Sequence, residues 1–495
     1  MLHSTCFNNE RTFMSSNFTP TQQQLDILEA FKTNRVLKIN AVAGSGKTST
    51  LELLASENTQ PSLLLAFNKA IADEASNRFP EHVSCRTMNS LAYAEFGKPL
   101  QHKLNLNKNP KINTMRSLRN IIDWFNLDEY TDAEPAISAR TIAAMARDAL
   151  DRFCFSNRST ISEQDLFYKD FKELALQHSF DEAKLGRVIV NIAKLIWKER
   201  INPISQACTT HDTYLKLWSM SNPKLNYEIL YVDESQDINP CVLHVLEQQT
   251  CKIVYVGDEH QSIYGFRGAI NAMKKIVAPT MHLSQSWRYG PEIADVAQTI
   301  LSKQGTKVLG NPNIDSKADV VDEDKPYTMI FRTNFALIEK AEELVTQGKR
   351  VQAEVNLADI IRQIQSACAL RKGEKPFHDN IARFGNWFEL LDFAKESVEM
   401  QRLVKLAKRS DVEDMIDNLK KVNNSSKYDV VLTTAHKSKG LEWDHVIIAN
   451  DFKLGKDDPL IMPEQEQNLL YVACTRAKLT LELPIELMIV MENKE

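Results

Sequence analysis

Residues 41–48 read Ala-Val-Ala-Gly-Ser-Gly-Lys-Thr, directly after the largely apolar run at 36–39. Glycines in such a loop let backbone N–H groups turn inward on a polyphosphate, and the following helix points its positive end at the same charge. Lys47 can reach the terminal phosphates, and the Thr48 hydroxyl can hold Mg²⁺. A chance Gly-rich turn is the alternative. Because strand, loop and helix signals coincide, the stretch predicts a phosphate-binding loop opening an α/β sheet.

The composition is that of an ordinary globular protein. The chain has 495 residues, of which 43% are hydrophobic and 25% are charged, and its formal net charge is -5. The length predicts roughly three to four domains. Because the net charge is negative, a nucleic-acid site would have to be a local basic groove. The cysteines are scattered and form no C-x-x-C pair, which argues against a zinc site and favours a reducing compartment.

The sequence shows no targeting or membrane segment. No apolar run approaches the ~18 residues of a membrane span, and the polar N-terminus lacks the apolar core of a secretory signal. We therefore expect a cytoplasmic location without a membrane partner, associated with the nucleoid if the source is prokaryotic or a phage. Residues 1–17 are expected to form a disordered lead-in.

A pair of carboxylates follows a second strand far downstream. Residues 228–232 have the pattern of a buried strand and end in Asp-Glu-Ser-Gln-Asp at 233–237. The carboxyl ends of strands are where open α/β sheets bind their ligands. Asp233 can hold Mg²⁺, and Glu234 can orient and deprotonate an attacking water. An acidic strand end alone is usually a solvated turn, but together with the loop at 41–48 it indicates a hydrolytic nucleotide site.

The next strand signal, at 252–256, leads into Gly-Asp-Glu-His-Gln-Ser-Ile-Tyr-Gly-Phe-Arg-Gly-Ala at 257–269. With the acidic segment at 233–237, this stretch resembles the superfamily 1 DNA helicases of the UvrD/Rep/PcrA type. That family has alanine at the first position of the phosphate-binding loop, so Ala41 fits it. Further segments resemble the family's motifs in the same order, at 18–22, 66–74, 87–92, 283–288, 330–334, 434–443 and 469–477. The segments 67–72, 211–216 and 285–288 are most similar to the F-box DNA helicase branch, although no F-box is visible.

The resemblance implies an α/β fold with two RecA-like parallel-sheet motor domains. The first would carry a helical insertion, and apolar positions recur with helical spacing in 138–153 and 180–197. The second would carry an insertion reduced to a few dozen residues. The expected ranges are 18–95 and 216–280 for the first motor domain, 96–215 for its insertion, 281–369 and 428–495 for the second motor domain, and 370–427 for the reduced insertion.

The resemblance also assigns roles in ATP hydrolysis. Gln261 would sense the γ-phosphate, while Arg288 and Arg476 would approach from the second domain as arginine fingers. Each arginine, taken alone, could be a surface salt bridge. With Lys47 and Mg²⁺ on the other side of the phosphates, these cations would neutralise the charge that develops during phosphoryl transfer.

Further residues would bind ATP. Gln22 lies in the segment that reads adenine in the family, Trp287 stands where relatives have the tyrosine that stacks on adenine, and Glu442 would lie near the ribose and phosphates. Ser49 stands where many relatives have arginine, so one contact is missing. The loop residues assigned to ATP are Ala41, Val42, Ala43, Gly44, Ser45, Gly46, Lys47, Thr48 and Ser49.

Aromatic side chains predict a track for single-stranded nucleic acid. Tyr264 and Phe266 are two apart beside Arg267, so both rings can project from one face and stack on bases of any sequence. Core positions are the alternative for Phe266, and a buried structural histidine is the alternative for His436. The other side chains that the resemblance places in this channel are Phe67, Asn68, Asn89, Arg332 and His436.

The resemblance therefore implies an ATP-dependent, Mg²⁺-dependent DNA helicase that moves 3′→5′ on single-stranded DNA and meets single-strand/duplex junctions. Two alternatives stay open. The chain could be a translocase that strips proteins from single strands with little unwinding, or a nucleotide-gated DNA-binding subunit of a larger repair or defence assembly. No protein partner can be named from the sequence.

Overall fold

The computed structural model describes residues 19–492 apart from 105–117, 176–177, 266–267, 302–303, 383, 396–397, 424–426 and 456–457. The predicted lead-in at 1–17 and the predicted DNA contacts Phe266 and Arg267 therefore lie outside the described residues. Within the described ranges, no helix combines the length and the apolar character needed to cross a membrane.

Six parallel strands form the first sheet, in the order β3-β2-β4-β5-β1-β6. The strands are β1 Val36–Ala41, β2 Ser62–Leu65, β3 Val83–Arg86, β4 Ile229–Val232, β5 Lys252–Gly257 and β6 Thr280–Leu283. Every residue of β2 and β4 is buried, as expected for a parallel sheet covered on both faces. Because β6 pairs with β1, the first sheet extends beyond the boundary expected at residue 280.

Four helices precede the first insertion: α1 Gln22–Thr33, α2 Lys47–Ser56, α3 Lys69–Arg78 and α4 Met88–Ala92. Helix α1 begins with a capping box, in which Thr21 and Gln24 satisfy each other's backbone N–H groups. Apolar residues of α1 and α2 pack with β1, β4 and β5 in one core. This core holds the loop between β1 and α2 at the carboxyl edge of the sheet.

The insertion between β3 and β4 is helical, as predicted. It contains α5 Gln101–Leu104, α6 Leu118–Phe125, α7 Ala139–Phe155, α8 Tyr168–Ala175, α9 Glu182–Ile201 and α10 His211–Met220. Helices α6, α7 and α9 share a core of their own. In contrast, α10 packs through Tyr214 and Trp218 on α4 and on the helix that follows β4, so it joins the insertion to the first lobe. The chain then forms α11 Pro240–Glu247 and α12 Ala272–Lys275 around β5.

Five parallel strands form the second sheet, in the order β11-β10-β7-β9-β8. They are β7 Tyr327–Phe331, β8 Val351–Ala353, β9 Val430–Thr434, β10 Trp443–Ile448 and β11 Ala477–Glu482. The described part of the chain thus contains the two parallel sheets that the sequence predicted, and each is flanked by helices.

The described residues of the second insertion share one core with the second sheet. The helices of the second lobe are α13 Pro291–Ile300, α14 Asn334–Thr346, α15 Leu357–Arg371, α16 Asp379–Ala382, α17 Trp387–Ala394, α18 Val398–Ala407, α19 Val412–Leu419, α20 Ala435–Ser438, α21 Glu464–Cys474 and α22 Ile485–Glu492. Leu370, Leu403 and Leu419 of the insertion pack in the same cluster as Phe335, and Leu432 of β9 belongs to that cluster too. The reduced insertion expected at 370–427 is so short that its described helices bury their apolar faces on the existing sheet.

We predict that Leu403→Ala destabilises the whole second lobe. Leu403 is fully buried in the shared core, and truncation of a buried leucine costs about 2–5 kcal/mol. Hydrogen exchange should therefore accelerate in the amides of β9 as well as in α15 to α19. Phe388→Ala is the matched control, because Phe388 of α17 is 79% exposed. Unchanged protection of β9 in the Leu403 variant would show that the insertion is an independent unit.

Candidate active site

The loop after β1 is shaped to bind an anion. Gly44 and Gly46 have φ values of 74° and 80°, in the left-handed region that glycine adopts without a steric penalty. Helix α2 begins at Lys47 with no side-chain cap on its first turn. Its free N–H groups therefore face the loop and can receive a phosphate.

An orphan polar atom supports the same interpretation. The Ser45 side chain is buried, and its hydroxyl has no hydrogen-bond partner among the described residues. A buried hydroxyl without a partner is unfavourable, and a phosphate oxygen would satisfy it. The hydroxyl of Thr48 and the carboxylate of Asp233 are hard oxygen ligands, which suits Mg²⁺. The residues present therefore fit a nucleotide with its magnesium ion.

The catalytic carboxylates predicted from the sequence follow β4 directly. Asp233 is buried and accepts a hydrogen bond from the backbone N–H of Glu234 at 2.8 Å. Glu234 has a φ of 49°, a conformation that residues other than glycine rarely adopt. Its Oε1 lies 3.9 Å from the Nζ of Lys47. The structure thus brings Lys47, Asp233 and Glu234 together at the carboxyl edge of the first sheet.

A residue to which the sequence interpretation assigned no role completes this cluster. Lys439, which follows α20 in the second lobe, places its Nζ 2.5 Å from Asp237 Oδ2 and 3.8 Å from Glu234 Oε2. The same ammonium group donates to the backbone oxygen of Gln261 at 2.8 Å. The sequence could have pointed to Lys439, because this residue lies in the motif segment at 434–443, just after a strand.

The electrostatics differ between the neighbouring acids. Burial and the charge of Glu234 raise the pKa of Asp233. Burial also acts to raise the pKa of Glu234, but the cations Lys47 and Lys439 outweigh it, so the pKa of Glu234 falls below its ordinary value. Burial raises the pKa of Asp237 to about 6. Glu234 is therefore ionised at neutral pH, as a general base requires.

The two predicted arginine fingers lie together at the seam between the lobes. Arg288 donates to Glu442 Oε2 at 2.7 Å and to the backbone oxygen of Thr475 at 3.0 Å. Arg476 is fully buried, and burial together with the charge of Arg288 lowers its pKa to about 9. The charge of Arg476 also helps to lower the pKa of Glu234. Glu442 and the backbone oxygen of Thr475 thus hold the Arg288 guanidinium, and Arg476 lies close enough to Glu234 to affect its pKa.

The segment before Arg288 packs directly on the loop. The backbone N–H of Trp287 donates to the Gly44 oxygen at 2.8 Å. A methyl group on Gly44 would lie 2.6 Å from Ser286 Oγ and 2.7 Å from Arg288 Cβ, so only glycine fits there. The Trp287 side chain is 49% exposed next to Gly46, a position from which an indole can cover a base.

Gln22, the predicted adenine contact, has its hydrogen-bond partner on its own helix. The Gln22 side chain donates to Asp26 on its own helix at 2.8 Å. It is Gln23 that reaches across, accepting from the backbone N–H of Ser284 at 3.0 Å. A contact between Gln22 and adenine stays a prediction, whereas Gln23 anchors the chain that leads to Trp287.

Gln261 is fixed by a buried aspartate. Its side-chain amide donates to Asp258 Oδ2 at 2.8 Å, and both residues are buried. Asp258 directly follows β5, so Gln261 lies at the same sheet edge as Asp233. The backbone oxygen of Gln261 is the one that accepts from Lys439.

A cavity of about 900 Å³ opens beside the carboxylates, and four predicted DNA-binding residues line it: Phe67, Asn68, Asn89 and Tyr264. The rings of Phe67 and Tyr264 are stacked, with centroids 5.7 Å apart and planes 16° apart. The Nζ of Lys439 lies 5.2 Å from the Tyr264 ring centroid. Asp233, Glu234 and Asp237 also line this cavity, so the aromatic track and the hydrolytic site share one wall.

Three of the predicted DNA contacts have partners within the protein. Arg332 forms a two-bond ion pair with Glu466, both bonds at 2.7 Å, which ties the end of β7 to α21. Asn68 caps α3 by accepting from the Ile71 N–H at 2.9 Å. His436 has its backbone oxygen 3.4 Å from the Tyr264 hydroxyl. Asn68 lines the cavity and His436 contacts the lining residue Tyr264, and contact of the three residues with DNA stays a prediction.

Comparison with known proteins agrees with this geometry. The family description of the UvrD/REP helicase N-terminal domain matches residues 20–277, and that of the UvrD-like helicase C-terminal domain matches 429–483. The chain therefore belongs to the UvrD/REP helicase family.

Two eukaryotic relatives match nearly the whole chain. F-box DNA helicase 1 of Gallus gallus is 30% identical over 92% of this chain and 48% of its own length. F-box DNA helicase protein 1 of Schizosaccharomyces pombe is 31% identical over 92% of this chain and 56% of its own length. ATP-dependent DNA helicase PcrA of Leuconostoc citreum is 35% identical over 17% of this chain and 12% of its own length. The chain spans about half the length of the two F-box relatives.

The environment of His436 predicts a pH effect on stability. Burial and the charge of Arg332 lower the pKa of His436 to about 4, so the folded protein keeps the ring neutral. A histidine with a lowered folded pKa stabilises the fold above its ordinary pKa, and this contribution is lost as the pH falls from 6.5 toward 4. Between pH 7 and pH 5 the loss should be at most about 2 kcal/mol.

Thermal unfolding of the wild type and of His436→Gln at both pH values measures this contribution. The midpoint of the glutamine variant should fall less between pH 7 and pH 5 than that of the wild type. Equal decreases in the two proteins would contradict a buried neutral histidine.

Proposed function

We propose that this protein is an ATP-dependent DNA helicase that translocates on single-stranded DNA. The observation that carries the proposal is the position of Lys439, which comes from the second lobe. Its ammonium group contacts Asp237 and Glu234 on the nucleotide side and the Tyr264 ring on the cavity side. A change at either ligand site therefore acts on the same buried charge.

In the proposed reaction, the loop N–H groups and Lys47 bind the phosphates of ATP. Glu234, kept ionised by Lys47 and Lys439, accepts a proton from the attacking water. Arg288 and Arg476 neutralise the charge that develops on the transferred phosphoryl group, an element that can be worth about 10³-fold or more in rate. Bound to Thr48 and Asp233, Mg²⁺ would supply further charge neutralisation.

The proposed DNA track consists of stacking surfaces and polar side chains. Phe67 is 46% exposed, and its ring stacks on Tyr264. Bases can stack on such rings with about 1–3 kcal/mol each and without sequence preference. A track of this kind suits a motor that has to pass every sequence.

Closure and opening of the seam would move the strand. ATP would hold the lobes together through Arg288, Arg476 and Lys439, and hydrolysis would release them, which is a hinge between two states. Resemblance to the UvrD branch supports movement in the 3′→5′ direction, and the names of the relatives as DNA helicases support DNA as the substrate.

A second function is favoured by one observation. The described helices at 370–427 pack in the core of the second sheet. A motor without a protruding second insertion has less surface with which to hold a duplex. The alternative is therefore a translocase that removes bound proteins from single strands and unwinds little.

Glu234→Gln should keep ATP binding and lower DNA-stimulated ATP turnover by about 10²-fold or more, because the amide cannot accept the proton from water. Steady-state phosphate release and equilibrium binding of a fluorescent ATP analogue would measure the two properties. Glu247→Gln, an exposed carboxylate at the end of α11, should leave both unchanged. Unchanged turnover in the Glu234 variant would remove this residue from the role of base.

Duplexes with a 3′ or a 5′ single-stranded tail test the proposed activity directly. We expect ATP-dependent strand displacement from the 3′-tailed substrate and little from the 5′-tailed one. The same tails carrying a bound streptavidin should be run in parallel. Protein displacement without strand displacement would favour the alternative function, and the absence of DNA-stimulated ATP turnover would contradict both.

A further inference from the structure

A tyrosine of the second lobe reaches into the first lobe behind the phosphate-binding loop. Tyr471 of α21 is fully buried. Its hydroxyl accepts a hydrogen bond from the backbone N–H of Ala43 at 3.1 Å and donates one to Asp258 Oδ2 at 3.0 Å. One oxygen atom thus joins the loop, the second lobe and the aspartate that follows β5.

The network continues from Asp258 to both predicted reaction partners of the γ-phosphate. Asp258 Oδ2 also accepts from the side-chain amide of Gln261 at 2.8 Å. The backbone N–H of Asp258 donates to Gln236 Oε1 at 3.1 Å, and the amide of Gln236 donates to Glu234 at 2.5 Å. The Tyr471 hydroxyl is therefore connected by hydrogen bonds to the predicted sensor and to the predicted base.

Tyr471 also lies close to Arg476 along the chain. Helix α21 ends at Cys474, and the side chain of Arg476 donates to the backbone oxygen of Val472 at 2.8 Å. The backbone oxygen of Thr475 accepts from Arg288. A displacement of Tyr471 relative to Ala43 would therefore move Arg476 and the backbone oxygen that holds the Arg288 guanidinium.

We propose that Tyr471 is a positioning residue for ATP hydrolysis, whose hydroxyl sets the register of the second lobe against the phosphate-binding loop and so places Arg288 and Arg476 relative to Glu234 and Gln261. This inference rests on the proposed ATPase function. Burial raises the pKa of Tyr471 well above its ordinary value, so the hydroxyl keeps the proton that it donates to Asp258.

Packing alone does not account for the hydroxyl. Phenylalanine would fill the same space in the apolar cluster of Leu470 and Val472. It would leave the Ala43 N–H and one Asp258 oxygen each short of a bond in a buried place. The arginines would then be held less firmly, which affects the transition state more than the binding of ATP.

Tyr471→Phe tests this inference in the full chain. We expect kcat for ATP hydrolysis on single-stranded DNA to fall about tenfold or more, while KM for ATP and the Kd for single-stranded DNA change less than about twofold. Asp258→Asn should also lower kcat, and the double variant should be no slower than the slower single variant. Tyr231→Phe is the matched control, because it also removes the hydroxyl of a buried tyrosine. This hydroxyl accepts from the side-chain amide of Asn58 at 2.8 Å, and Asn58 follows the end of α2 that is remote from the loop.

The outcomes separate the inference from the proposed function. A wild type without DNA-stimulated ATP turnover would overturn the proposed function. An active wild type with an unchanged Tyr471→Phe kcat would overturn only the positioning role. The positioning role would also be overturned by a parallel loss of kcat, ATP affinity and DNA affinity in Tyr471→Phe. An equal loss of kcat in Tyr231→Phe would overturn it as well. If Tyr471→Phe is unstable, Asp258→Asn replaces it in the test. A lower kcat at a similar KM for ATP would then support the inference, and an unchanged kcat would overturn it.

Discussion

The structure depends on one buried ammonium group at the seam between two lobes. A buried charge is costly unless it is paired and hydrogen-bonded. Lys439 meets this requirement across the seam, where Asp237, Glu234 and the oxygen of Gln261 are its partners. Burial acts to lower the pKa of Lys439, but Asp237 and Glu234 outweigh it and raise the pKa, so the group stays charged. Separation of the lobes would remove these partners together, so the ion pairs of Lys439 favour the closed seam.

The same charge explains how two ligand sites can influence each other. The Tyr264 ring lies next to Lys439 and stacks on Phe67, whereas Glu234 lies between Lys439 and Lys47. An incoming phosphate would compete with Glu234 for Lys47, and an incoming base would displace one ring from the other. Each event would change the surroundings of Lys439, which makes this residue the proposed link between the two sites.

Features of the fold and of the site could be predicted from the sequence where residues close together in the chain determine the structure. The loop at 41–48 and the acids at 233–234 stand beside their own strands, so residue order alone placed them at a sheet edge. Contacts between distant segments could not be predicted in this way. The pairing of β6 with β1, the ion pair of Arg332 with Glu466 and the shared core at 370–427 depend on how separate elements pack. Lys439 belongs to the same class, because its partners come from the other lobe.

A double-mutant cycle between Lys439 and Asp237 tests most directly whether the lobes share one catalytic site. The measurement is kcat for DNA-stimulated ATP hydrolysis in Lys439→Met, Asp237→Asn and the double variant. The two residues face each other across the seam, so each single change should slow turnover and the double variant should be about as slow as the slower single one. Losses that multiply in the double variant would show that the two residues act independently, and would contradict a catalytic site built across the seam.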